Sequence, residues 1–233
     1  MNEQISMLET VARVLSQVPT TIVFTGGATI SLYLDEAAAP DIRPTDDVDC
    51  VVSIASRAEY YQLSELLKAI GLQESTQSGA PLCRWHYEEI SIDVMPCDSS
   101  VLGFSNRWYR PGIANSIRYQ LPSGRQILIF STPYLLASKI EAFTGRGGGN
   151  FYFSSDIEDI VALLDGRSSL FEEVQQADDE VKAFLSGWFR AELENLCSIA
   201  PAFLSSAAKN SGRTRLLLQR IERLAIVVYS NPK

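Results

Sequence analysis

The sequence predicts an α/β (α+β) fold, in which a mixed sheet flanked by helices is followed by a C-terminal helical bundle. Short apolar runs rich in β-branched residues lie between residues 20 and 130 and alternate with segments of helical spacing. Beyond Thr132, leucine and aromatic residues recur at helical spacing without a strand pattern. The 233 residues are enough for two modest domains. We therefore predict an α/β domain over residues 1–131 and a helical domain over residues 132–233.

Turn-forming residues delimit the predicted elements of the first third of the chain. Gly26 and Gly27 end the first strand, and a breaker segment over 39–44 precedes the second. Ser56 and Glu59 have the spacing of a capping box at the start of a helix. The predicted elements are a helix over 4–17, a strand over 20–24, a helix over 28–38, a strand over 47–54 and a helix over 56–71.

Strands dominate the middle third, and helices occupy the remainder. Residues 122–124 form the predicted turn of a hairpin. Thr132 and Pro133 are typical of an N-cap and a first helical position, and Ser155 with Glu158 predicts the start of another helix. The predicted elements are strands over 81–88, 90–96, 116–121 and 125–130, and helices over 132–145, 155–166 and throughout the tail from 168.

Composition excludes several classes of function. A formal net charge of −8 argues against a general nucleic-acid coat protein, which needs an excess of Lys and Arg. The four cysteines include no CxxC pair, so neither a zinc ribbon nor a redox motif is indicated. The single histidine, His86, argues against zinc hydrolases and Ser/His/Asp catalysts. The chemistry is therefore expected to depend on carboxylates, lysine and metal.

The sequence gives no sign of membrane insertion. The N-terminus has neither a basic n-region nor an apolar h-region, and no stretch of about 18 consecutive apolar residues occurs. We expect a soluble, cytoplasmic protein with no membrane partner.

Three aspartates on predicted strands form the candidate catalytic and metal-binding cluster. Asp47 and Asp49 are two residues apart and point to the same face of a strand, while Asp93 alternates with the apolar residues Ile92 and Val94. Three converging carboxylates repel one another unless cations neutralise them. Because the apolar part of the strand over 47–54 follows its acids, a phosphatase of the haloacid dehalogenase type is disfavoured.

The glycine turn upstream of these acids is a candidate phosphate site. Gly26 and Gly27 lie between a predicted strand and a predicted helix, where backbone N–H groups attract anions. An ordinary tight connection is the structural alternative for such a pair.

The order of these motifs resembles the signature of the DNA polymerase beta nucleotidyltransferase superfamily. The similarity is closest to the AbiEii/AbiGii toxin-like branch, which has a glycine pair, an R-x-T/S-x-D-x-D motif, a later strand acid, a lysine-bearing helix and a further aspartate. It covers residues 20–165. The matching residues are Gly26, Gly27, Arg43, Thr45, Asp47, Asp49, Asp93, Lys139, Arg146 and Asp156. Ala28 and Ser155 depart from the pattern, since a hydroxyl residue and a lysine are usual there.

This resemblance implies an NTP-dependent, pyrophosphate-releasing nucleotidyltransferase that uses Mg²⁺ or Mn²⁺. Asp47, Asp49 and Asp93 would be catalytic and bind the metal, and the helical domain would complete the nucleotide cleft. The nucleotide-binding residues would be Gly26, Gly27, Arg43, Lys139, Arg146 and Asp156. The acceptor would be a tRNA 3′ end or a protein hydroxyl, and an antitoxin partner is expected if the chain is a toxin.

Several alternatives stay open at this stage. A small-molecule nucleotidyltransferase of the aminoglycoside-modifying kind and a catalytically inactive nucleotide-binding module are the competing functions. The glycine run over 145–149 lacks the lysine and Ser/Thr of a Walker loop. In the tail, a group of arginines is either a solvated helix face over an apolar stripe or a landing surface for RNA; it comprises Arg213, Arg215, Arg220 and Arg223.

Overall fold

The structure, a computed structural model, describes residues 3–35, 42–146, 150–210 and 212–227. The chain divides into two compact units. Unit 1 comprises residues 1–29 and 44–131, and unit 2 comprises residues 30–43 and 132–233.

Unit 1 contains a seven-stranded mixed sheet with the strand order β3-β4-β5-β2-β1-β7-β6. The pairs β2–β5 and β1–β7 are parallel, and the remaining neighbours are antiparallel. This arrangement confirms the predicted fold class. The strands are β1 (Ile22–Thr25), β2 (Asp47–Val52), β3 (Gln73–Glu74), β4 (Arg84–Tyr87), β5 (Ile90–Pro96), β6 (Ile117–Gln120) and β7 (Gln126–Ile129).

Helices accompany this sheet along the chain. The predicted capping box is present at the start of α2, where the Ser56 side chain accepts a hydrogen bond from the N–H of Glu59. The helix is followed by Gly71 in the left-handed conformation, with φ +96°. The helices of unit 1 are α1 (Glu3–Leu15), α2 (Arg57–Ala69), α3 (Ser99–Leu102) and α4 (Tyr109–Ala114).

Strand β2 separates apolar from acidic side chains by its alternation. Val48 and Cys50 are fully buried on one face of the strand. Asp47 and Asp49, on the other face, are only half-buried. The same strand therefore contributes to the core and presents two carboxylates outside it.

From Thr132 onward the described residues of unit 2 form helices joined by short connections and include no strand, as the sequence predicts. Helix α5 is apolar on most of its surface and is largely buried, as expected for a central helix. The helices are α5 (Thr132–Gly145), α6 (Ser155–Gly166), α7 (Leu170–Gln176), α8 (Asp179–Ala191), α9 (Leu193–Ile199), α10 (Ser206–Asn210) and α11 (Arg213–Ala225).

The interpretation of the α11 arginines as a solvated face holds for Arg215 and Arg223, which are exposed, but not for Arg213, which is buried. The Arg213 Nε donates to Asp165 Oδ1 over 2.8 Å, and the Arg220 Nη1 donates to the carbonyl oxygens of Leu164 and Asp165 over 2.9 and 2.6 Å. These carbonyls end α6, where cations complement the helix dipole. Arg223 pairs with Glu172 over 3.2 Å and lies against Phe171. Leu217 and Leu224 are buried as predicted, and Val228 lies outside the described residues.

Two predicted elements differ from the structure. Residues Gly27–Leu32 form a 3₁₀ helix and not the start of an α-helix over 28–38, of which residues 36–38 lie outside the described part. The Thr29 N–H and hydroxyl both donate to the Gly26 carbonyl oxygen, over 3.3 and 2.9 Å, which tightens the first turn. The N-cap of α6 is Ser154 and not Ser155, because the Ser154 hydroxyl accepts from the Ile157 N–H.

Among the helices of residues 3–35, 42–146, 150–210 and 212–227, none is long and apolar enough to cross a bilayer.

Candidate active site

The parallel pairing of β2 with β5 brings the three predicted aspartates together. Asp49 lies directly beside Asp93 in the register of the two strands, and Asp47 lies beside Ser91. Paired residues of neighbouring strands point to the same face of a sheet, so all three carboxylates share one face. The structure therefore confirms that these residues are adjacent, while their catalytic role stays a prediction.

Arg84 is the cation that faces this acidic cluster. Its Nε donates to Asp93 Oδ1 over 2.8 Å, and its Nη2 donates to Asp93 Oδ2 over 2.7 Å. The same Nη2 lies 3.2 Å from Asp47 Oδ2. The guanidinium thus forms a bidentate pair with Asp93 and bridges it to Asp47.

The position of Arg84 follows from the β4–β5 hairpin. Arg84 is the direct antiparallel partner of Asp93 in the register of these strands. Hydrogen bonding to Asp93 raises the pKa of the Arg84 guanidinium above its usual value. The guanidinium is therefore a permanent positive charge within the cluster.

Gly26 provides the space that the Asp49 carboxylate occupies. A Cβ at position 26 would lie 1.8 Å from Asp49 Oδ2, well inside the contact distance. Gly26 also has φ +77°, in the left-handed region that favours glycine. Thr25, the preceding residue, is paired with Asp49 across β1 and β2. The predicted glycine turn is therefore beside the acids, and its close approach to Asp49 requires glycine.

A neighbouring hydroxyl group restrains the Asp47 carboxylate. The Thr45 hydroxyl donates to Asp47 Oδ1 over 2.8 Å, which restrains the carboxylate.

The two buried cysteines of this region are poor nucleophiles. Burial raises the pKa of the Cys50 thiol well above its usual value and, with the charge of Asp93, raises the pKa of Cys83 to about 12. Both thiols therefore stay protonated near neutral pH. All four cysteines are free.

Asp47 and Asp49 have the chemistry expected of ligands for a hard divalent cation. They offer carboxylate oxygens on one face of β2, and Mg²⁺ and Mn²⁺ prefer such donors. A cation would offset the repulsion among carboxylates that lie this close together. Both oxygens of Asp93 accept from Arg84, whereas those of Asp47 accept from Thr45 and Arg84. Among the described residues, no group of three His, Cys, Asp or Glu side chains is arranged as a metal site.

A second cluster of charged residues is buried in unit 2. The Lys139 ammonium lies 2.6 Å from Asp159 Oδ2 and 3.5 Å from Asp156 Oδ1. The Arg43 Nε lies 3.3 Å from Asp159 Oδ1, and the Arg146 Nη1 lies 3.0 Å from Asp156 Oδ2. The predicted nucleotide-binding residues Arg43, Lys139, Arg146 and Asp156 thus belong to one network, which is completed by Asp159.

The members of this network differ in accessibility. The Lys139 side chain is 10% exposed and the Asp159 side chain is 2% exposed. The Arg146 side chain is 71% exposed although it pairs with Asp156. Arg146 is therefore the more accessible of these two cations to an anionic ligand.

Two residues of these clusters were not assigned a site role from the sequence. Arg84 lies in an alternating strand pattern, and its partner could have been inferred from the hairpin register had the turn been recognised. The turn residue Glu88 has φ +52°, and no glycine or asparagine marks it. From the sequence, Asp159 fits the helix dipole and catalysis equally well, and its spacing from Asp156 is that of one helix face.

Solved structures provide the comparison with known proteins. The chain is similar to an antigenic nucleotidyltransferase-like protein from Paracoccidioides brasiliensis, with a TM-score of 0.56 and 20% identity over 89% of this chain and 96% of that one. The chain has a nucleotidyltransferase-like fold. The antibiotic-resistance factor ANT(2'')-Ia also matches, with a TM-score of 0.46 and 12% identity over 68% of this chain and 81% of that one. No protein-family model matches the sequence, and neither does any curated protein.

We expect Gly26→Ala to destabilise this nucleotidyltransferase-like fold by about 2 kcal/mol or more, because the new methyl group meets Asp49 and the backbone is strained. Urea denaturation of both proteins measures the difference. Gly79→Ala is the matched control, since Gly79 has φ +84° but open space around its Cβ position. Equal losses in the two variants would contradict the proposed contact with Asp49.

We expect Asp159→Asn to destabilise unit 2 by about 3 kcal/mol, because the buried Lys139 ammonium loses its closest anionic partner. Thermal and urea denaturation measure the effect. Asp179→Asn is the control, since it removes a charge from the more exposed Lys182–Asp179 pair and is expected to cost less than about 1 kcal/mol. A similar cost in both variants would show that burial of the network is energetically unimportant.

Proposed function

We propose that the chain transfers a nucleoside monophosphate from an NTP to an acceptor hydroxyl and releases pyrophosphate. The observation that carries the proposal is the position of Asp47, Asp49 and Asp93 on one sheet face beside the Gly26 turn. The nucleotidyltransferase-like fold supports it. A hydrolytic or thiol-dependent reaction finds less support, since Cys50 and Cys83 have raised thiol pKa values and His86 is the single histidine.

Asp47 and Asp49 would hold the divalent cation, Mg²⁺ or Mn²⁺. When bound, such an ion neutralises phosphate oxygens and lowers the barrier to displacement at the α-phosphorus. Thr45 restrains Asp47 through its hydroxyl, and the absent side chain at Gly26 leaves room for Asp49. These contacts hold the two carboxylates in place before substrate arrives, which reduces the reorganisation needed for catalysis.

The second cluster is assigned to the nucleotide phosphates. Arg146 is exposed and is the side chain that we expect to contact the triphosphate, whereas Lys139 is buried between two aspartates. We therefore assign to Lys139 and Asp159 the role of positioning Asp156, which in turn holds Arg146. Arg43 joins the same network through Asp159.

The acceptor is proposed from the resemblance of the motifs to the AbiEii/AbiGii toxin-like branch, which implies a tRNA 3′ end or a protein hydroxyl. Helix α11 gives no support to an RNA surface, because Arg213, Arg220 and Arg223 bond to residues of unit 2. A macromolecular acceptor would then have to be bound elsewhere on the chain.

A nucleotide-binding module without turnover is the second candidate function. The observation that favours it is the bidentate pair between Arg84 and Asp93, which engages both oxygens of the third carboxylate. Calorimetry with a non-hydrolysable triphosphate separates the two functions when it is combined with a transfer assay. A binding module would show affinity for the nucleotide but release no pyrophosphate with any acceptor.

We expect the wild-type chain to label a macromolecule when it is incubated with α-labelled NTPs, Mg²⁺ or Mn²⁺, total tRNA and cell lysate. Asp47→Ala should lower this labelling about 100-fold or more, because it removes a charged ligand from the reacting centre. Asp46→Asn is the control, since Asp46 is the exposed neighbour of Asp47 and should retain transfer. Full transfer by Asp47→Ala would refute the proposed site.

We further propose that the activity is toxic to the cell that produces it and is restrained by an antitoxin protein. Induced expression of the wild-type chain should then stop growth, whereas Asp47→Ala at the same protein level should not. Colony counts after induction measure this difference. Harmless expression of an active wild-type chain would exclude the toxin role and leave the transferase proposal intact.

A further inference from the structure

A cavity of about 410 Å³ lies in unit 1 beside the start of strand β1, and we name it the β1 cavity. Its residues belong to the end of α1, to the segment that leads into β1, to β1 itself and to the β6–β7 hairpin. Its volume is within the range of small-molecule binding sites. The three aspartates of the acidic cluster do not line it, so the β1 cavity is separate from the candidate active site.

The β1 cavity opens where the pairing of β1 with β7 has not yet begun. The parallel register of these strands starts at Val23 and Leu128. The residues just before them, 21–22 in one strand and 126–127 in the other, line the cavity. The opening is therefore a consequence of strand pairing that covers only part of β1 and β7.

Much of the lining of the β1 cavity is apolar. Five lining residues are buried apolar side chains, namely Ala12, Leu15, Val18, Phe24 and Ile127. Each methylene group that a ligand buried against them would strengthen binding about fourfold. This surface favours a ligand with an apolar body.

The charged residues of the lining are both arginines. Arg118 is exposed and Arg125 is half-buried, and no Asp or Glu lines the β1 cavity. Within the described part of the chain, neither guanidinium has a hydrogen bond or an ion pair. Arg84, Arg146 and Arg167, by contrast, all pair with carboxylates. Two unpaired cations in a chain of net charge −8 favour an anionic ligand.

Three further polar side chains line the β1 cavity and could bond a ligand. The hydroxyl groups of Thr20 and Thr21 and the amide of Gln126 have no hydrogen-bond partner among the residues that the structure describes. Each of these groups can donate a hydrogen bond, as the two guanidinium groups can. Oxygen atoms of a carboxylate or a phosphate accept such bonds.

We propose that the β1 cavity is a second binding site of the chain, for a small molecule with an apolar body and one carboxylate or phosphate group. The apolar body packs against the buried apolar side chains, and the anionic group binds Arg118 and Arg125. The inference does not depend on the transferase function, so the failure of one leaves the other standing.

The test titrates the full chain by calorimetry with octanoate, octyl phosphate and octanol, which share one apolar chain. We expect binding at one site, with one or both anions binding about 10-fold or more tightly than octanol, because charged hydrogen bonds form only with the anions. The tighter of the two anions identifies the ligand as a carboxylate or a phosphate ester. Equal affinity for all three probes, or saturable binding of none, would overturn the inference.

Charge variants locate the anionic group. The double variant Arg118→Gln and Arg125→Gln should lose about 10-fold or more of the affinity for the anion and keep its affinity for octanol. The matched control is Arg13→Gln with Arg215→Gln, because these arginines are exposed, have no partner among the described residues and do not line the cavity. An equal loss in both double variants would show that net charge alone governs binding.

A variant that fills the cavity keeps both arginines and tests the location independently. Thr21 lines the β1 cavity and is exposed, so Thr21→Trp introduces a bulky side chain at its mouth without altering the buried residues. We expect this variant to keep the wild-type melting temperature and to lose the binding of octanoate and octyl phosphate. Undiminished binding by folded Thr21→Trp would place the ligand elsewhere and refute the inference.

Discussion

Repulsion among Asp47, Asp49 and Asp93 is the constraint on which the arrangement of unit 1 depends. The parallel register of β2 and β5 places Asp49 beside Asp93, and no strand of a twisted sheet can move one residue without exchanging its two faces. The acids cannot separate while Val48 and Cys50 remain in the core. The negative charge of the three carboxylates must therefore be offset at this place in the sheet. Arg84, on strand β4 beside β5, offsets part of it.

The two units use buried charge in different ways. In unit 1 Arg84 pairs with two of three adjacent aspartates, Asp47 and Asp93. In unit 2 the network around Asp156 and Asp159 contains Arg43, Lys139 and Arg146, so cations outnumber acids. An anionic ligand suits the second cluster and a cation suits the first.

The sequence predicted six of the seven strands, most helices and the identity of the acids, because these depend on local periodicity and on capping. Strand β3 and the short helices α3 and α4 were not predicted. The 3₁₀ helix over Gly27–Leu32 was missed, since the bonds from Thr29 to Gly26 depend on a single turn and not on a repeating pattern. The pairing of Arg84 with Asp93 was missed for another reason. It depends on the register of a hairpin whose turn, at Glu88, has none of the usual turn residues. The contacts of the α11 arginines with the end of α6 were missed as well. They depend on which helix end lies near α11, and the periodicity of a single helix does not reveal that.

The missing side chain at Gly26 also gives a criterion for sorting related sequences. A relative that keeps all three aspartates but has any larger residue at this position cannot hold Asp49 where it lies here. Such a sequence would keep the three aspartates but not their arrangement in space. Inspection of one glycine thus distinguishes an intact carboxylate arrangement from a vestigial one, even when the acids themselves are identical.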